Sequence, residues 1–157
     1  MKYLTIFLLL AISAFARLGE TPDEISARVG RNTLESKHYI PVQGKMVPLG
    51  RTLFFQKEEW GIQCDLIDQK CGRITYTKKG DWTEAQKQDL LVSNAQTAKW
   101  IEAKDSNKMI RKWNRSDGGF AEWKFTGEMI ITSYSYVLAK NVLEKSLNLR
   151  SKELPGL

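Results

Sequence analysis

The sequence predicts an α+β domain: one antiparallel, meandering sheet of about six strands with helices packed on one face, in the order α-βββ-α-βββ-α. Three observations carry this. Two capping boxes, at Thr21 and Thr83, each open a helix. Each is followed by apolar residues alternating with polar ones in short runs. The runs are divided by turn-forming clusters rich in glycine, aspartate and lysine.

The chain opens with Lys2, an apolar run from Leu4 to Phe15 broken only by Thr5 and Ser13, and then Ala14-Phe15-Ala16 before Arg17. A positive start, an apolar stretch and a small-x-small end are the parts of a cleavable secretory signal. As a helix, about 12 residues rise about 18 Å, too short for a hydrocarbon core roughly 30 Å thick. The expectation is a signal peptide over residues 1–16, a mature chain beginning at Arg17 and an exported product, periplasmic or secreted. No cysteine follows the small residues, which argues against a lipid anchor, and no later segment predicts a membrane span. Residues 17–150 suffice for a single α+β domain, with 151–157 as a loose C-terminal tail. The net charge of +6 is spread among acids along the chain, so a solvated mixed surface is expected and nucleic acid is not an expected partner.

Within the domain, Thr21-Pro22-Asp23-Glu24 starts a two-turn helix that buries Ile25 and Val29 and stops at Gly30. Residues 31–50, with Pro41, Gly44, Pro48 and Gly50, are expected to be loop with a small hairpin turning at Gln43-Gly44. From Thr52 to Thr77, three alternating runs predict three strands: Leu53 and Phe55; Trp60, Ile62, Cys64 and Leu66; Ile74 and Tyr76. Their turns fall near 57–59 and 68–70. Thr83-Glu84-Ala85-Gln86 caps a second helix, whose inner residues are expected to be Ala85, Leu91 and Ala95. Residues 109–115, 120–125 and 129–134 form the second set of strands, divided by Ser116-Asp117-Gly118-Gly119 and Thr126-Gly127. A last amphipathic helix over 136–149 has an apolar stripe of Leu138, Val142 and Leu149, with Leu143 and Leu147 alongside.

Few chemistries fit these residues. If both strands of their hairpin turn apolar residues inward, Cys64 and Cys71 lie on opposite sheet faces, Cys64 buried and Cys71 nearer the surface, with no disulfide favoured unless a bulge intervenes. Two cysteines and the single His38 do not supply a tetrahedral metal site, and no metal or other cofactor is expected. A Cys-His nucleophile pair would need Cys71 or Cys64 to meet His38. Paired carboxylates for glycoside hydrolysis would have to come from Glu58-Glu59 or Asp65 with Asp68, which sit at turns. No phosphate loop, nucleophile elbow or zinc-protease helix is present in the sequence.

Five tryptophans are the unusual feature. Trp60 and Trp123 share the phase of core residues, whereas Trp82 immediately precedes a helix cap and Trp100 lies in a weakly patterned stretch, positions that would leave either half exposed. Trp113 leads into Arg115 and Asp117 at a hairpin end. Trp82, Trp113, Arg115 and Asp117 are therefore the candidate binding patch, since aromatics beside arginine are the composition of protein-binding hot spots.

Arg17-Leu18-Gly19-Glu20-Thr21 with Ala27-Arg28-Val29-Gly30, and Trp113-Asn114-Arg115-Ser116-Asp117-Gly118-Gly119, resemble small exported bacterial proteins of uncharacterised function. The capped helix leading into a three-stranded meander is more remotely similar to the SmpA/OmlA family of outer-membrane assembly lipoproteins and to the β-lactamase inhibitor proteins. The chain departs from the former in lacking the lipid-acceptor cysteine, and neither resemblance implies catalytic residues. Three functional expectations follow: a non-enzymatic module that binds a protein or polymer of the cell envelope; a small hydrolase of cell-wall or carbohydrate substrate; or a structural exported domain without a specific ligand.

Overall fold

The computed structural model describes residues 15–153, with side chains through 149. The expected signal peptide thus lies outside the described residues except for Phe15 and Ala16, as do the last four residues of the expected tail. The fold is α+β with one antiparallel sheet, but that sheet has eight strands rather than six, in the order β1-β2-β3-β4-β8-β7-β6-β5. Element order is α1 (Pro22–Val29), β1 (Leu34–Val42), β2 (Lys45–Lys57), β3 (Trp60–Ile67), β4 (Lys70–Lys78), α2 (Glu84–Ser93), β5 (Trp100–Glu102), β6 (Ile110–Arg115), β7 (Phe120–Lys124), β8 (Glu128–Thr132) and α3 (Tyr134–Glu153). Each half is a helix followed by a four-stranded meander, and the two meanders join through their last strands, β4 and β8.

Both capping boxes form. Thr21 Oγ1 accepts from the Glu24 amide and Glu24 Oε2 accepts from the Thr21 amide at 2.8 Å; Thr83 and Gln86 repeat the pattern. In α2, Leu90 and Leu91 are the buried apolar residues, whereas Ala85 is exposed and Ala95 lies beyond the helix.

Two strands replace expected loop. Residues 34–57 are a long hairpin turning at Gln43-Gly44, both with positive φ. Pro41 is tolerated because β1 is an edge strand, and Pro48 sits beside the register shift between His38 and Tyr39. Gly50 is required by close approach: a Cβ there would lie 2.0 Å from the Leu66 carbonyl oxygen. The three-residue β5, too short to show a period, pairs with β6 through Trp100, Ile101 and Glu102.

The main core joins α1 and α2 to one sheet face through Ile25, Val29, Leu90 and Leu91 against Leu53, Phe55, Ile62, Ile74, Met129 and Ile131. The third helix departs from the expected one-face packing. It follows β8 directly, with Ser133 Oγ accepting from the Tyr136 amide at 3.2 Å, and it crosses to the opposite face. There Tyr136 stands over Gly72 and reaches His38 on β1. Farther along, Asn148 meets Gln43 at the β1–β2 turn. The helix continues to Glu153, through what was expected to be tail.

Candidate functional site

Of the four residues in the expected patch, three are buried. Trp113 and Trp82 belong to the main core, and Trp82 packs edge-on to Trp60 with centroids 4.9 Å apart. The Arg115 guanidinium is 5 % exposed; its Nη1 donates to the Asn94 carbonyl at 2.8 Å and its Nε to Asp117 Oδ1 at 2.7 Å. Only Asp117 reaches solvent. This correction has a simple cause: β6 puts Trp113 and Arg115 on the same inward phase, with exposed Asn114 between them. Arg115 holds the Asp117 carboxyl below its usual range by donating to it. Trp100 is half-buried, its indole N–H donating to the Leu91 carbonyl at 2.7 Å.

The thiols also differ from expectation. The β3–β4 register shifts between Asp65 and Leu66, so that Arg73 opposes Asp65, Cys71 opposes Leu66 and Gly72 has no partner. This bulge reverses the phase of Cys71. Both thiols are free and sit in the main core, Cys64 at 0 % and Cys71 at 1 % exposure. Burial, and then the neighbouring Cys64 thiol, push the Cys71 thiol well up from its ordinary value.

His38 lies on the opposite face, in a buried polar network. Tyr136 Oη is 2.6 Å from His38 Nε2, and His38 Nδ1 is 3.4 Å from Asp65 Oδ1. Asp65 also accepts from Thr52 Oγ1 at 2.7 Å, Gln63 Nε2 at 3.1 Å and Arg73 Nε at 2.6 Å. The tautomer that satisfies both contacts donates from Nδ1 to Asp65 and accepts the Tyr136 proton at Nε2. Burial lowers the His38 pKa, with Asp65 opposing and Arg73 assisting, while burial raises that of Tyr136. The order Asp-His-Tyr could relay a proton. Yet none of the three lines either hollow described below, and what the network does here is fasten α3 to the sheet. Cys71 and His38 are separated by the sheet. Asp65 is bound by Arg73 and Thr52, while Asp68, Glu58 and Glu59 lie exposed at turns. Among the described residues, no group of three or more metal-ligating side chains is placed to hold an ion.

Two concavities share a wall. A groove of about 780 Å³ runs between residues 15–20 and α2, with Glu24, Asp89, Val92 and Ser93 on its sides. A smaller hollow of about 260 Å³ lies beyond Leu18, Gly19 and Gln96, lined by Arg115, Asp117 and Ser133 to Ser135. Gln96 divides them, its Nε2 donating to the Leu18 carbonyl at 2.9 Å. Tyr134, half exposed, packs against Gly118 at the mouth of the smaller hollow. From there an apolar row continues along α3: Leu138, Val142 and Leu149 are 49 %, 59 % and 62 % exposed. With Tyr134 these fall within roughly 80° of one another at 100° per residue. The stripe expected to face the core faces solvent instead, because the inner side of α3 is taken by Tyr136, with Leu143 and Leu147 partly buried.

No protein-family model, no curated protein and no solved structure matches this chain. Among the described residues no helix is long and apolar enough to cross a membrane.

Proposed function

We infer that this is an exported, non-enzymatic module that binds a protein or polymer of the cell envelope through the two hollows and the outer row of α3. One observation carries the reading: exposed Tyr134, Leu138 and Val142 follow one another on the outer side of α3, leading away from the hollow at Asp117, with Leu149 in the same sector beyond Lys145. Singly exposed apolar residues need no explanation, but an aligned row at the lip of a concavity is the composition of an interaction surface. The dispersal of Cys71, His38 and the acidic pairs gives the hydrolase alternative no comparable support.

The test is site-specific photo-crosslinking in the producing cell, with the probe at Leu138 or Val142 and, as control, at exposed Met109 on the far hairpin. A discrete adduct from the α3 positions alone, recovered from the envelope fraction and, for the Val142 probe, abolished by Leu138→Glu with Tyr134→Ala at unchanged melting temperature, is the expected result. Equal labelling at all three positions would sink the reading.

A further inference from the structure

We propose that removal of the leader after Ala16 opens an aromatic slot beside the larger groove, and that the mature chain uses this slot to hold an aromatic side chain of an extended peptide. This names a ligand class for the surface inferred above and rests on that reading.

Residues 15 and 16 are folded into the domain. The Phe15 ring stands edge-on to Trp60 at 5.0 Å between centroids and to Tyr76 at 6.0 Å. Ala16 is fully buried, and its carbonyl accepts the Tyr76 hydroxyl at 2.6 Å. The same residues complete the small-x-small pattern of a peptidase site. Hydrolysis of the Ala16–Arg17 bond by a signal peptidase consumes one water, releases the Ala16 carboxylate with the leader and leaves an α-ammonium on Arg17.

A seat for that ammonium already exists. Arg17 N lies 2.8 Å from Glu20 Oε2, while Glu20 Oε1 holds Arg28 at 2.6 Å. The segment that follows is anchored without residues 15 and 16: the Leu18 amide donates to Asn94 Oδ1 at 2.9 Å, the Gly19 amide to the Cys71 carbonyl at 2.7 Å, and the Cys71 amide to the Glu20 carbonyl at 2.8 Å. Cleavage therefore removes the slot's occupant and leaves its walls tied down.

The vacated slot has two unmet demands. Trp60 and Tyr76 lose an aromatic neighbour, which leaves an apolar cavity. The Tyr76 hydroxyl still accepts from Asn94 Nδ2 at 3.2 Å, but its own proton has lost the Ala16 carbonyl that accepted it at 2.6 Å. The departing residues define the replacement: an aromatic side chain followed by a main-chain carbonyl, entering along the groove whose wall Phe15 forms.

The full chain is expressed with export, and its amino terminus is read by intact mass; a start at Arg17 is expected. The exported protein is then titrated with N-acetyl-Phe-Ala-amide and N-acetyl-Ala-Ala-amide while tryptophan emission is followed. The phenylalanyl peptide should saturate the emission change, and the alanyl peptide should bind about thirtyfold more weakly, the loss expected for one ring's burial. Tyr76→Phe should fold and weaken the phenylalanyl peptide about five- to tenfold. A mature chain that starts at or before Phe15, equal binding of the two peptides, or no emission change into the millimolar range would each overturn the slot. If crosslinks from Leu138 and Val142 persist in that case, only the slot has failed; if they are absent as well, the surface reading has failed with it.

Discussion

Asn94 is where α2, β4 and the entering chain are tied together, and replacing it by alanine should be among the most damaging single changes. The side chain is fully buried. Its Oδ1 accepts from the Leu18 amide at 2.9 Å, and its Nδ2 donates to the Leu90 carbonyl at 2.9 Å and to the Tyr76 hydroxyl at 3.2 Å. Asn94→Ala leaves the Leu18 N–H without a partner. The Leu90 carbonyl keeps its bond from the Asn94 backbone amide, and Tyr76 keeps its bond to the Ala16 carbonyl in a chain that retains residues 15 and 16. One buried orphan donor costs about 1–3 kcal/mol, and the lost amide volume adds to it. A loss of about 2–4 kcal/mol is expected, a large share of a total near 5–15 kcal/mol. At about 3 °C per kcal/mol for a chain of this size, the melting temperature should fall by about 6–12 °C. Thermal and urea denaturation followed by circular dichroism measure the loss, and amide hydrogen exchange at Leu18 should speed up beyond the global change. A shift under about 2 °C, or unaltered Leu18 protection in a variant that is otherwise native, would show that the amide does not hold the entering segment.

Burial depresses the His38 pKa below 6.5, so the unfolded chain takes up that proton first as pH falls. Stability should be full above about pH 6.5 and decline as pH drops towards the folded value. His38→Gln should flatten the fall of the denaturation midpoints below about pH 6.5, and an unchanged slope would refute the assignment. Gly50→Ala drives a Cβ into the Leu66 carbonyl, which belongs to backbone and cannot yield. A loss of more than about 3 kcal/mol is expected, whereas Gly61→Ala, which meets only the Thr77 hydroxyl, should cost much less; similar melting curves for the two would contradict the packing. Neither Cys64 nor Cys71 should react with an aromatic disulfide reagent in the native protein, and both should react in denaturant, because both are buried and Cys71 is held protonated. One rapidly titrating thiol in the folded state would refute that placement.

The parts of the fold legible in the sequence are those with local causes. Thr21 and Thr83 announce their helices because a capping box is satisfied within four residues, and Trp60 to Leu66 alternate because one face of β3 is buried along its length. The illegible parts have distant causes. Pro41, Pro48 and Gly50 read as breakers, yet they fit a strand because β1 is an edge and because β3 comes unusually close at Leu66. The Cys71 phase depends on an unpaired glycine that no periodicity records. Arg115 pairs with Asp117, two residues on, but what keeps the guanidinium inside is its further bond to the carbonyl of Asn94, 21 residues away. Leu138, Val142 and Leu149 share one side of α3 but face solvent, since periodicity reports that a helix has an apolar side without saying whether another element covers it.

The five tryptophans acquire a common explanation from the dimensions of the layers. Eight strands about 4.8 Å apart make a sheet roughly 34 Å wide, whereas helices of 8 and 10 residues are only about 12 and 15 Å long. Two such helices cannot roof the sheet, and the remainder must be closed by bulk. Trp60 packs edge-on against both Phe15 and Trp82; Trp113 and Trp123 project from β6 and β7, with Lys87 of α2 lying 3.7 Å from the Trp123 ring centre. Trp100 then reaches the Leu91 carbonyl. Large rings are thus roofing, and their abundance follows from short helices over a wide sheet. The same shortage of roof explains why residues 15–18 are drawn into the core at all. An entering segment of chain, with Ala16 and Leu18 buried among the strands, fills space that a longer helix would have filled.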